Sequence, residues 1–372
     1  MRGRRQALRL WHRWFGLVAG LWLVLLSVTG ISIAWYDEID TALNPDLRRV
    51  VVGDAPPVPL AIVLARAEAT LPGFEARQVQ LAGQPGQTHW LIGRAIGDDG
   101  SSMGVQVFAD PATGAVAGWR ESGALRLDRR HLMDLIYGVH TELLLGPVAA
   151  WLLGLVALAW IADHLVGLAL SFPRGERWRD AFRLAGRSRS LRRLFDWHRA
   201  KGMWAWPLTA TLALTGLTLA WPEATRDAVR LVSPVSERLH EAMPRGADRP
   251  LPAITLDQAV ARVRESGRKV HSVRPMLSQG LYAVRTFDPR DMDNQGRLWT
   301  YVSATTGQVV GARHDRGDSV GDAFFAWQYA LHSGHAAGVP GRIAVSLGGA
   351  VTILLWWSGM RLWRRRRWRH RF

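Results

Sequence analysis

Cysteine is absent from this chain of 372 residues. That excludes disulfides, zinc–cysteine sites, iron–sulfur clusters, thiolate-ligated haem and C-x-x-C-H haem attachment. Any redox or metal chemistry must therefore use His, Met, Tyr or carboxylates. Acidic residues are also scarce, with 31 Asp+Glu against 47 Lys+Arg and a formal charge of +16. A glycine-rich nucleotide or flavin fingerprint is missing too, because no GxGxxG lies between a strand and a helix. What is plentiful is tryptophan, 19 residues in a chain that is 48% hydrophobic. That composition fits a membrane protein better than a nucleic-acid binder.

Four stretches lack any charged residue and are long enough to cross a bilayer, at about 20 residues per span. They are 14–36, 143–162, 202–222 and 343–360. The second continues to Pro173, interrupted only by Asp163 and His164. Tryptophans such as Trp11, Trp14, Trp35, Trp221 and Trp363 flank these stretches, as interfacial anchors do. Residues 1–13, 173–201 and 361–372 together hold 22 Lys+Arg and only Glu176, Asp180 and Asp196 as acids. Their net of +19, against +16 in all, leaves −3 for everything else. The positive-inside rule then expects both termini and the central basic loop in the cytoplasm, with 37–142 and 223–341 outside. A cleaved signal peptide is the competing account of the N-terminus. It fits less well, since the apolar run is too long and no clean small-x-small site follows. The arginine runs need no nucleic acid to explain them, because topology and lipid headgroups suffice.

The chain repeats itself. Trp11-His12-Arg13 recurs as Trp197-His198-Arg199, and at the same offset Gly16, Thr29-Gly30 and Trp35 match Gly202, Thr215-Gly216 and Trp221. ADPATGAVAGWR (109–120) matches VSATTGQVVGAR (302–313). His140, Gly146 and Gly167 match His332, Gly338 and Gly359. Each copy thus reads as helix, external segment, helix. The external segments share a pattern: a short helix (59–71; 255–267), then strands at 75–82, 89–96 and 104–108, or 269–275, 281–287 and 298–302. A PATG or ATTG turn and a last short strand close each one. A module of about 60 residues is near the lower limit for independent folding, so each is expected to lean on its partner or the membrane face.

The duplication filters the twelve histidines. Only His12/His198 and His140/His332 are histidine in both copies. The first pair sits at the cytoplasmic ends of spans one and three, the second on the external approaches to spans two and four. Two imidazoles facing each other between helices form a bis-His axial set for haem. Gly16, Gly20 and Gly202 near the first pair leave room for a flat macrocycle, as do Gly138, Gly146, Gly334, Gly338 and Gly341 near the second. Arg13, Arg199 and Arg342 are candidates for its propionates. Taken singly, each histidine is explained as an interfacial anchor or cap, and small-x3-small patterns as helix packing. Taken as duplicated pairs at both faces, they read as cofactor ligands. A metal without porphyrin fits less well, because no His-plus-acid cluster recurs in both copies. His164, whose repeat mate is Trp356, is a reserve ligand for the inner site and His335 for the outer one. His89, His131, His240, His271, His314 and His370 are expected to be solvated loop or tail residues.

WHRWFGLVAGLWLVLLSVTG, VHTELLLG, DWHRAKGMWAW and LHSGHAAGVPGR resemble the PepSY-associated transmembrane proteins along essentially the whole chain. More narrowly, they resemble the iron-uptake branch that includes inner-membrane ferric-siderophore reductases. The DxxVGxxLxxP pattern of Asp163–Pro173 is similar to that branch, although His164 departs from it. The resemblance implies four transmembrane helices, two periplasmic PepSY-type modules and two b-type haems. It also implies electron transfer to a ferric substrate, with His12 and His198 holding the cytoplasmic-side haem and His140 and His332 the periplasmic-side one. The implied partners are a ferric siderophore or other Fe(III) chelate, a cytoplasmic or membrane electron donor and the lipid bilayer. Nucleic acid is not among them.

The expected fold is a mainly α membrane protein, a four-transmembrane-helix bundle from an internal duplication with two small α+β PepSY-like modules. The expected divisions are 1–36 (cytoplasmic N-terminus, span one), 37–128 (module one), 129–173 (span two and its approach) and 174–197 (basic loop). They continue with 198–222 (span three), 223–325 (module two), 326–363 (span four and its approach) and 364–372 (Arg-rich tail). The expected activity is a haem-dependent oxidoreductase in the bacterial inner membrane that reduces ferric siderophore. The alternative is a non-catalytic assembly or regulatory protein whose modules bind a periplasmic partner or restrain a protease.

Overall fold

The structure, a computed structural model, describes residues 2–97, 99–172, 175–184, 191–244 and 251–369. Pro173, parts of the basic loop and the tail from His370 onward lie outside the described residues. Two compact units emerge, one from residues 1–35, 136–227 and 328–372, the other from 36–135 and 228–327.

The first unit is built on four long helices: α1 (Arg2–Ile33), α2 (Pro147–Ser171), α3 (Leu191–Ala220) and α4 (Gly338–Arg369). The packing is a closed ring, with α1 and α3 each lying against both α2 and α4. Gly146 at φ 76°, followed by Pro147 in the first turn, starts α2. The segments Gly3–Ile33, Pro147–Ser171 and His335–Arg365 are long and apolar enough to cross a membrane. The expected fourth span, 202–222, falls almost entirely within α3 but is not among these. Its hydropathy is lowered by Pro207 and by four threonines. Yet Thr211 donates to the carbonyl of Pro207 one turn back at 2.8 Å, Thr215 to that of Thr211 at 2.7 Å and Thr218 to that of Leu214 at 3.1 Å, while Thr209 Oγ1 lies 3.1 Å from Ala205 O. The polarity that a composition count registers is absorbed by the helix's own backbone.

The second unit is one open antiparallel sheet of eight strands, ordered β4-β3-β2-β1-β5-β6-β7-β8. The strands are β1 (Glu75–Gln80), β2 (His89–Ile96), β3 (Ser102–Ala109), β4 (Val116–Glu121), β5 (Val270–Met276), β6 (Leu281–Thr286), β7 (Leu298–Ser303) and β8 (Val309–His314). The order reads the same outward from its centre in both directions. The two expected modules are therefore halves of a single sheet. They join where Val79 pairs with Val273 and Gln80 with Ser272, and where Arg274 Nε donates to Gln78 Oε1 at 2.7 Å. Two modules near the lower size limit gain by this, because each covers the other's innermost strand edge.

The helices Leu60–Thr70 and Leu256–Arg264 share one core with Val79, Leu91, Val105, Val107, Val273, Val284 and Val302. Thr255 caps the second helix through a reciprocal box with Gln258. The first helix has no cap of its own, and the other half supplies one. Asp257 accepts from the N–H groups of Leu60 at 2.6 Å and Ala61 at 2.9 Å. The duplicated turns place Gly114 and Gly307 at φ 73° and 70°, the left-handed region a side chain rarely adopts. The arginines that end the two repeat strings are both paired. Fully buried Arg120 grips Asp40 at 2.7 and 3.1 Å, and Arg313 reaches Asp322 at 3.0 Å.

Candidate functional site

Four histidines converge in the helical unit as two facing pairs. His12 of α1 faces His198 of α3 with ring centres 6.1 Å apart and planes at 68°. His140, on the helix Leu132–Glu142, faces His332, on the helix Val320–Ser333, at 6.2 Å and 56°. Thr29, which contacts His140, lies 17 residues along α1 from His12, about 25 Å of helix rise. Thr215, which contacts His332, lies 17 residues along α3 from His198. The pairs thus occupy opposite ends of the bundle.

Each Nδ1 atom has a partner. His140 meets Thr29 Oγ1 at 2.9 Å and His332 meets Thr215 Oγ1 at 2.9 Å. His198 meets Ser358 Oγ at 2.8 Å, and His12 meets both carboxylate oxygens of Asp163 at 3.0 Å. The three hydroxyls already donate elsewhere: Thr29 to Leu25 O, Thr215 to Thr211 O and Ser358 to Leu355 O. A hydroxyl has one proton, so each must accept from Nδ1–H, and the Asp163 carboxylate can only accept. The network therefore assigns the same tautomer to all four rings, with the Nε2 lone pair left over. Among the described residues no protein hydrogen bond uses Nε2 of any of the four. This is how metal-binding imidazoles are held, the far nitrogen fixed so that the near one can ligate.

Ring centres 6.1 and 6.2 Å apart bring the two imidazoles of each pair near enough that both could ligate one metal ion. Glycines make room for the rings. A Cβ on Gly30 would stand 3.0 Å from His140 Cε1, on Gly216 3.4 Å from His332 Cε1, and on Gly359 3.4 Å from His198 Cε1. Within the bundle, Arg199 Nε and Trp356 Nε1 are buried donors without an acceptor among the described residues.

Several expectations are corrected. Gly16 does face open space, but the Trp356 indole packs onto Gly20 and Leu355 lies against Gly202. Gly334 and Gly341 pack backbone to backbone and Leu144 covers Gly138, whereas Gly146 and Gly338, at positive φ, face open space like Gly16. Arg342 donates to Ala34 O at 2.7 Å beneath Trp35, Arg199 binds Asp180 O and Asp196, and Arg13 lies over Trp14. His164 has both nitrogens engaged, Nδ1 with Trp160 O at 2.8 Å and Nε2 with Thr209 Oγ1 at 3.0 Å. His335 lies parallel to Tyr329, its ring centre 6.4 Å away.

The histidines expected in solvent are not exposed. His89, His131 and His314 are buried, while His240 and His271 are half-buried. Each answers a sheet-unit polar group. His89 Nδ1 accepts from Ala82 N–H, His314 Nε2 meets Asp291, His131 meets Asp128, His240 meets Tyr301 and His271 meets Ser272. Burial pushes His89 and His271 down to about 4, helped by Arg264 near the first and Arg285 near the second. His370 lies outside the described residues.

Thr29, Thr215, Asp163 and Ser358 were not anticipated as part of the site. The duplicated Thr-Gly dipeptide was the available signal for the first two. Asp163 and Ser358 do not stand at matching positions of the recurring sequence strings, so that recurrence could not single them out. No curated protein matches the chain. The family model described as PepSY-associated TM region matches residues 9–366, and the chain, a membrane protein with helical and β parts, belongs to that family.

Proposed function

We propose that this protein is a di-haem b electron-transfer protein of the bacterial inner membrane that reduces ferric iron, as a siderophore or other chelate, at the periplasmic face. The observation that carries the reading is the pair of facing imidazoles at each end of the bundle, all four held by Nδ1 and open at Nε2. His12 and His198 would hold one b-type haem, and His140 and His332 the other. Bound there, the haems supply one-electron redox chemistry at two depths, which a single cofactor cannot do across about 30 Å of hydrocarbon.

The chain's own residues do the rest. Thr29, Thr215, Ser358 and Asp163 orient the imidazoles. The apolar bundle excludes water, and Gly30, Gly216 and Gly359 let the rings approach the helices. One electron per Fe(III) enters from a cytoplasmic or membrane-pool reductant. Reduction weakens the hold of hard oxygen ligands, which frees iron from its chelate.

We read α3 as a fourth span and the chain as a duplication. A closed ring with α2 and α4, backbone-satisfied threonines and the mirror-ordered sheet support this. The cytoplasmic placement of both termini rests on charge. His12 and His198 bring the starts of α1 and α3 to the ends of α2 and α4 through Asp163 and Ser358, so the described parts of the three basic segments flank one end.

The test is the spectrum of protein purified from haem-replete cells. Dithionite should develop b-type bands. Single replacement of His12, His198, His140 or His332 by Ala should each remove one haem, the first two losing one spectral component and the last two the other. A colourless protein favours the non-catalytic PepSY reading.

A further inference from the structure

The partners of the four imidazoles differ in one respect. Three Nδ1 atoms donate to neutral hydroxyls that are already turned toward backbone carbonyls. The fourth, on His12, donates to a carboxylate, with both oxygens of Asp163 at 3.0 Å. Asp163 is 7% exposed, and its ion-pair partner among the described residues is His12. Duplication does not require this difference, because the repeat mate of Asp163 is Leu355.

A carboxylate against the far nitrogen makes an imidazole a stronger donor and adds a negative charge beside it. Both effects favour the more positive, oxidised state of whatever redox centre the ring ligates. The hydroxyls at the other end contribute hydrogen bonds without charge. We propose that Asp163 makes the site at His12 and His198 the lower-potential one of the two, so that an electron passes through the bundle from that site toward the site at His140 and His332. Asp163 is a positioning residue that acts through His12. One electron is lost at the first site and gained at the second, with no proton or bond exchanged. The inference rests on the di-haem reading and gives it a direction that two symmetric sites would lack.

The experiment is a spectroelectrochemical titration of the purified full-length protein, with components assigned from His198→Ala and His332→Ala. In the unmodified protein, the component missing from His198→Ala is expected at the lower midpoint. Asp163→Asn, which keeps an acceptor and removes the charge, should raise that midpoint alone. The equilibrium constant for transfer between the sites should fall at least tenfold, about 59 mV for one electron. Asp163→Glu should retain the unmodified order. The inference is overturned if the His12–His198 component has the higher midpoint. It is also overturned if Asp163→Asn shifts neither component or both equally, or if Asn and Glu variants alike lose the component. Absence of b-type bands in the unmodified protein instead overturns the di-haem reading.

Discussion

At the scale of single residues, the site depends on how far nitrogens are held. Replacing Thr29 or Thr215 by Val preserves shape and removes the acceptor for His140 or His332. A buried N–H left without a partner costs about 1–3 kcal/mol. Removal of such a supporting group typically weakens cofactor binding about 10–100-fold. If haem is held there as proposed, each variant should lose the His140–His332 spectral component to an excess of haem scavenger faster than the unmodified protein. Unchanged loss kinetics in both would show that the hydroxyls are incidental. The four imidazoles were legible in the sequence because repetition picks them out of twelve histidines. Their supports were less so, since Thr29 and His140 are 111 residues apart and only folding brings them together. Gly20, Gly334 and Gly341 leave no room for a macrocycle, for a related reason. A glycine in the chain announces space, and only packing shows whether Trp356 or another backbone fills it.

At the scale of elements, the sheet unit is held by exchanges between its halves. The helix Leu60–Thr70 has Pro59 before it and no side-chain cap of its own. Asp257, at the start of the matching helix, supplies the acceptor. Asp257→Ala should destabilise the sheet unit by about 1 kcal/mol, the usual cost of losing a helix cap. Thermal melting followed at a β-sheet wavelength would show it, and a melting temperature equal to that of the unmodified protein would contradict it. Strand positions were close to legible. β2 matches its expected range and β1, β3, β5, β6 and β7 differ by one or two residues at their ends. Alternation along a strand is a local property. The joining of β1 to β5 was not visible, because nothing local distinguishes an edge strand from one that pairs with a distant copy. Similarly, α3 reads as an ordinary apolar span to the eye and as too polar by composition. Hydroxyl-to-carbonyl bonds along its threonines satisfy part of that polarity within the helix.

At the scale of the whole molecule, buried neutral histidines make stability depend on pH. His89 and His271 are pushed from the ordinary value of 6.5 to about 4 in the folded sheet. Below pH 6.5 the unfolded chain takes up protons that the folded sheet refuses, so stability drops as the pH drops. The loss should begin near pH 6.5, continue to about pH 4 and level off below. His89→Asn keeps an acceptor for Ala82 N–H while removing the titration. The melting temperature of this variant, followed from pH 7.5 to 4.5, should decline less than that of the unmodified protein. An identical slope would rule His89 out as a contributor.

The sequence alone determined the apolar segments, the three basic segments, the short strands and the two recurring histidine pairs. All of these are properties of neighbouring residues or of matching positions along the chain. Tertiary structure decided that the two modules share one sheet and that Asp257 of one half caps a helix of the other. It also decided that His164 is spoken for by Trp160 and Thr209, and that a carboxylate stands behind His12 while hydroxyls stand behind the other three. The physical reason is range. Burial, capping and the choice of tautomer depend on which distant groups arrive at an atom, and that is set only when helices and strands have packed.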